Sequence, residues 1–146
     1  MHRRPHLILL AAALALVSCS SAPQPAARAA DPACTHALAA APATVLGKAR
    51  SPLDVPGALA WGDPQIVLRC GLPGLEPTTS TCLVVDGQGW VVGDPDADPV
   101  VFTLYGHDPT VDVSVPASYG RTSAPGALVD LAPVARALPA NGRDCS

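Results

Sequence analysis

The chain has 146 residues, 14% of them charged, with 9 Lys+Arg against 12 Asp+Glu for a formal net charge of −3. Nucleic-acid binding rests on neutralising phosphates with Lys and Arg, and this chain has no basic cluster, so that partner class is set aside. Five cysteines, seventeen prolines and only 3% aromatics describe one small domain, with a core of Val, Leu and Ala assisted by disulfides.

The N-terminus opens with the basic stretch "MHRRPH" and continues into eleven uncharged apolar residues, Leu7 to Val17. A membrane-spanning helix needs about 20 such residues, whereas eleven is the length of a signal-peptide core. Leu16-Val17-Ser18-Cys19 then resembles the lipobox of bacterial lipoprotein signals. That resemblance implies cleavage after Ser18 and a diacylglyceryl thioether on Cys19, whose two acyl chains suffice for stable anchoring. The plainer alternative is an ordinary secretory signal with an incidental cysteine. Arg3-Arg4 leaves the general and twin-arginine export routes open, although Pro5-His6 fits the second poorly.

The expected division is a lipoprotein signal peptide over 1–18, a lipidated N-terminus and flexible tether over 19–33, and a single extracytoplasmic domain over 34–146. Loss of Arg3 and Arg4 leaves the mature chain seven basic and twelve acidic residues.

Along that domain, "CTHALAAAPATVLG" from Cys34 predicts a helix with Thr35 as N-cap, Leu38 inward and Pro42 as its stop. Residues 48–64 are punctuated by Pro and Gly and read as loop. "QIVLRCG" predicts a strand, and "TCLVV" and "WVVG" flank "DGQG" as a hairpin. "VVFTLY" and "TVDVSVP" are two further strands around "GHDP". In the second, Val111, Val113 and Val115 form a buried face, and Asp112 and Ser114 a wet one. Leu128, Leu131, Val134, Ala135 and Leu138 recur at helical spacing and predict a C-terminal helix containing Pro133. The fold expected is α+β: an antiparallel sheet of four to five strands covered on one face by N- and C-terminal helices, with two disulfides.

With Cys19 assigned to lipid, Cys34, Cys70, Cys82 and Cys145 remain, an even number with three connectivities. The preferred pairing is Cys70–Cys82 as a local staple and Cys34–Cys145 joining the ends. No cysteine or histidine pair has metal-ligand spacing, and no cofactor motif is present. Asp94, Asp96 and Asp98 open like a calcium loop, but Pro99 and Tyr105 stand where that loop requires Gly and Glu, so the stretch reads as a solvated turn.

Two constellations remain. His107-Asp108 is the mature chain's one imidazole with an adjoining carboxylate. With Arg69 it is the only candidate set for general acid–base work, and no nucleophile elbow accompanies it. Arg69 lies inside a predicted core strand and needs either a carboxylate, Asp63 or Asp112, or a pocket. Trp61, Asp63, Arg69, Trp90 and Tyr105 are the candidate ligand-binding residues, on the expectation that the aromatics and Arg69 share one cleft. His36 is expected to be exposed.

Trp61-Gly62-Asp63-Pro64, Leu68-Arg69-Cys70-Gly71, Trp90 and the stretch Phe102 to Pro116 resemble a family of actinobacterial membrane-anchored lipoproteins, domain of unknown function 3515, over about residues 34–138. The family usually has Arg where this chain has His107, which argues against a required catalytic histidine there. That family has no established activity, so the resemblance implies none in particular. The reading that follows is a non-catalytic lipoprotein, held to the extracytoplasmic face of the cell membrane through Cys19 and binding an envelope protein or cell-wall component. The alternative is a small enzyme of peptidoglycan or lipid metabolism using His107, Asp108 and Arg69.

Overall fold

A computed structural model describes residues 22–145 of the chain. The signal segment and Cys19 lie outside the described residues. Alternation of large apolar and small or polar side chains produces one antiparallel sheet of eight strands, ordered β1-β2-β3-β4-β8-β7-β6-β5. The strands are β1 (Thr44–Val45), β2 (Lys48–Ser51), β3 (Ala58–Trp61), β4 (Ile66–Leu72), β5 (Cys82–Val85), β6 (Gln88–Val92), β7 (Val100–Leu104) and β8 (Thr110–Val115). The helices are α1 (Pro32–Ala39), α2 (Gly126–Asp130) and α3 (Ala132–Ala137), with a 3-10 turn at Ala117–Tyr119.

Ile66, Leu68 and Cys70 of β4 share the buried face with Val111, Val113 and Val115 of β8 and with Phe102 and Leu104 of β7. Leu128 of α2, Val134 and Ala135 of α3 and Leu131 between the two helices close over it, as does Ala37 of α1. Burying a Val, Leu or Phe side chain contributes roughly 1.5–3 kcal/mol, so this aliphatic layer is the principal source of cohesion.

The expectation of four to five strands is corrected to eight. Residues 48–64, read as loop, contain β2 and β3. The prolines there fall at 52, 56 and 64, outside both strands, so none removes a ladder hydrogen bond. Trp61 faces the core from β3, and its indole N–H donates to the Pro42 carbonyl at 3.1 Å. The C-terminal helix is two short helices meeting at Leu131. Pro133 stands in the first turn of α3, where its missing N–H is tolerated, and one continuous helix would have needed that donor. The N-cap of α1 is Asp31, which accepts from the Ala33 amide at 2.9 Å; Thr35 lies inside the helix.

The disulfides are also corrected: Cys34 pairs with Cys70, and Cys82 with Cys145. The first joins α1 to β4 inside the core, where both cysteines are fully buried. The second holds the C-terminal segment to β5.

The Pro/Ala-rich stretch read as a flexible tether is docked from Gln24 onward. Its Gln24 carbonyl accepts from Arg69 at 3.1 Å, and the Arg28 amide donates to the Gly71 carbonyl at 2.9 Å. Gly71 (φ +106) has no room for a side chain, because a Cβ there would overlap the Arg28 backbone. Composition without apolar periodicity concealed this contact, since backbone groups make it.

Candidate functional site

Two adjoining hollows at one end of the sheet share Tyr105, Asp144 and Cys145. The first, about 170 Å³, lies between the β5–β6 turn, Tyr105 to His107 and the C-terminal segment. The second, about 230 Å³, is bounded by Pro77 to Ser80 and Cys82. The β5–β6 turn is set by Asp86 (φ +50) and Gly87 (φ +74), a left-handed pair suited to a two-residue hairpin. Arg136 of α3 ion-pairs with Asp86 and holds this turn to the helical layer. On the other side, the Cys82–Cys145 bridge draws the C-terminal segment over Gly89, whose bare Cα makes room for the Cys145 sulfur.

His107 is 8% exposed and forms a floor of the first hollow. Its Nδ1 lies 3.2 Å from the Leu138 carbonyl and its Nε2 3.0 Å from the Gln88 side-chain amide oxygen. Burial pushes the imidazole below its ordinary pKa, although the Leu138 and Pro139 backbone groups oppose the shift. The neutral ring has a single N–H. When Nδ1 donates it to Leu138, Nε2 is left to accept from the Gln88 amide with its NH2 turned inward. Both ring nitrogens are engaged, so the imidazole braces the Gly106 loop against the C-terminal segment.

Asp108, its neighbour in sequence, points away from it. Its carboxylate is 2.5 Å from Arg28 and accepts from the Gly74 amide at 3.3 Å. The candidate dyad is therefore not assembled. Arg69, the third member of the candidate acid–base set, is in a different place. It stands opposite Asp112 in the β4–β8 register and holds that carboxylate through two nitrogens, Nε at 3.0 Å among them. Of the two carboxylates considered, Asp112 is its partner. The pair raises the Arg69 pKa, chiefly through the Asp112 hydrogen bond. Asp112, placed on the wet face, is buried there beneath its partly exposed arginine.

The structure does not gather the five candidate ligand-binding residues. Trp61 and Trp90 are core residues, Asp63 is exposed beside Pro64, and Arg69 is ion-paired; Tyr105 alone borders the hollows. The Trp90 indole N–H is buried without an acceptor among the described residues. Gln88, Gly89 and Asp144 complete the site and were missed. Gln88 is visible as the polar member of "DGQG", but nothing local marks Asp144, which Cys145 brings in by its bond to Cys82.

The Asp94–Asp98 turn is organised from within the protein. Asp94 accepts from the Asp96 amide, and Arg121 donates to the carbonyls of Pro95, Asp96 and Ala97. Its carbonyls face a guanidinium where a calcium loop would present them to the ion. Among the described residues, no three His, Cys, Asp or Glu side chains are grouped to hold a metal, and no helix is long and apolar enough to cross a membrane.

No curated protein and no solved structure matches the chain. A family model does, described as "Protein of unknown function (DUF3515)", over residues 7–142. With nearly the whole chain inside that match, the protein belongs to this family of unknown function.

Proposed function

We propose that this is an envelope lipoprotein, anchored through Cys19, whose folded domain binds a protein or cell-wall chain across Tyr105 and performs no chemistry of its own. The observation that carries the binding reading is the pair of hollows meeting at Tyr105. Small-molecule pockets span roughly 300–1,000 Å³, and hollows of about 170 and 230 Å³ fall below that range. Glycine backbone, Gln88 and Arg143 wall the first and the Pro77 to Ser80 loop the second, with Tyr105 and Asp144 common to both, a polar surface suited to an extended chain laid over an aromatic ring. A non-catalytic role is supported by His107, whose ring nitrogens both face protein partners, and by Asp108, which is committed to Arg28.

Anchoring is supported by the signal-like N-terminus, Cys19 in its lipobox-like setting and a domain with two disulfides, as expected of an oxidising compartment. Intact-mass measurement of the protein from its own membranes should show a diacylglyceryl chain beginning at Cys19. An unlipidated product sinks the anchor. For binding, a photo-reactive amino acid at Tyr105 in the full-length protein should yield a discrete protein or glycan adduct in cells. Cross-linking no greater than at the exposed Val129 overturns the assignment of this site.

A further inference from the structure

A third concavity lies at the opposite end of the strands from Tyr105. It is a groove of about 540 Å³ walled by Pro23, Pro64, Val67, Pro99 and Pro116. We infer that this groove is the surface the domain lays against the bilayer, and that its occupant is membrane lipid. The inference rests on the Cys19 anchor proposed above.

Position is the first argument. Cys19 precedes Pro23 by four residues, and four residues reach at most about 14 Å even when fully extended. Pro23 is itself a wall of the groove, so acyl chains on Cys19 enter the membrane within that distance of it.

The second argument is rigidity. Directly after Pro23 the chain is fixed, first by Arg69 on the Gln24 carbonyl and then by the Arg28–Gly71 backbone bond. No long linker intervenes to let the domain turn its other faces to the lipid.

Chemistry is the third. Four proline rings and a valine dominate the groove, which holds no lysine, arginine or glutamate. Of its neutral polar members, Gln65 donates to Ser51 and the Pro52 carbonyl, Ser114 donates to the Val67 carbonyl, and Ser118 stands at the exposed rim. Its one carboxylate, Asp98, already accepts from the Ala117 amide at 2.9 Å. Such a wall loses little on leaving water, and the anchor keeps lipid at high local concentration, so weak apolar contact suffices. Asp63, exposed beside Pro64, makes attraction to anionic headgroups a poor driver, and the contact is accordingly apolar. From Pro99 to Tyr105 the chain runs six residues along β7, about 20 Å at strand rise. The domain so oriented presents Tyr105 away from the membrane.

The test places p-benzoylphenylalanine at Ser118, an exposed residue of the groove, or at Val129 on α2, in the full-length lipoprotein within membranes carrying alkyne-tagged phospholipid. Intact mass on the same preparations reads Cys19 lipidation and both disulfides. Lipid adducts should form several-fold more at Ser118 than at Val129. Equal adducts on a lipidated protein overturn the orientation and leave the anchor standing, as do adducts at Ser118 to another protein or to the chain's own N-terminal segment. A chain without lipid on Cys19 overturns both.

Discussion

His107 shows how one side chain can look catalytic in sequence and be structural in space. Its environment favours the neutral ring, so the folded protein binds a proton less readily than the unfolded chain. Its contribution to stability is therefore complete above the ordinary imidazole pKa of about 6.5 and is lost as pH falls through the lower folded value. Thermal melts of the wild type should show a midpoint falling below pH 6.5, and the same series on His107→Gln should show a shallower fall. Equal slopes would mean that the ring is not held neutral. Arg69 was more legible than His107, because a charge inside an apolar strand demands a partner and only two carboxylates were near candidates. The register of β4 against β8 selects between them. Nothing in the one-dimensional pattern says that Asp108 turns from His107 toward Arg28, eighty positions away.

At the scale of elements, the β5–β6 hairpin was readable from "DGQG", because its turn chemistry is local. Its two glycines, Gly87 in the turn and Gly89 in β6, do different things. Gly87 has open space around its Cβ position but a left-handed backbone, so Gly87→Ala should destabilise by about 1 kcal/mol through conformation alone. A Cβ on Gly89 meets the Cys145 sulfur, so Gly89→Ala should destabilise by about 2–3 kcal/mol as an overpacked contact. Urea unfolding of the two variants gives the order; equal losses would remove the special role assigned to Gly89. Strands β2 and β3 were hidden for the opposite reason. Their pairing is set by neighbours in the sheet, and the prolines between them dominate the local pattern although they occupy only the connections.

For the molecule as a whole, the number of strands, the docked N-terminal segment and the disulfide pairing all depend on contacts distant in sequence, and all three departed from expectation. The apolar alternation of β4, β7 and β8 and the helical spacing near the C-terminus were sufficient for an antiparallel sheet with helices on its buried face. They say nothing about which cysteine lies behind which strand. On a loop-entropy basis the bridges span 36 and 63 residues and contribute about 4 kcal/mol each.

The strand order divides the sheet into two successive halves, β1 to β4 and β5 to β8, that meet where β4 pairs with β8. Each half carries its own bridge, and among the described residues no disulfide crosses the seam. A chain threaded through a membrane N-terminus first therefore exposes Cys34 and Cys70 to an oxidant before Cys82 has emerged, and later Cys82 and Cys145. Oxidation in order of arrival yields the native pairs without reshuffling, provided Cys19 has already left the thiol pool. Secretion into a compartment equipped with an oxidase and deprived of disulfide isomerase should give full yields of correctly bridged protein, read by peptide mapping. A yield that collapses without the isomerase would show that mispaired intermediates intervene.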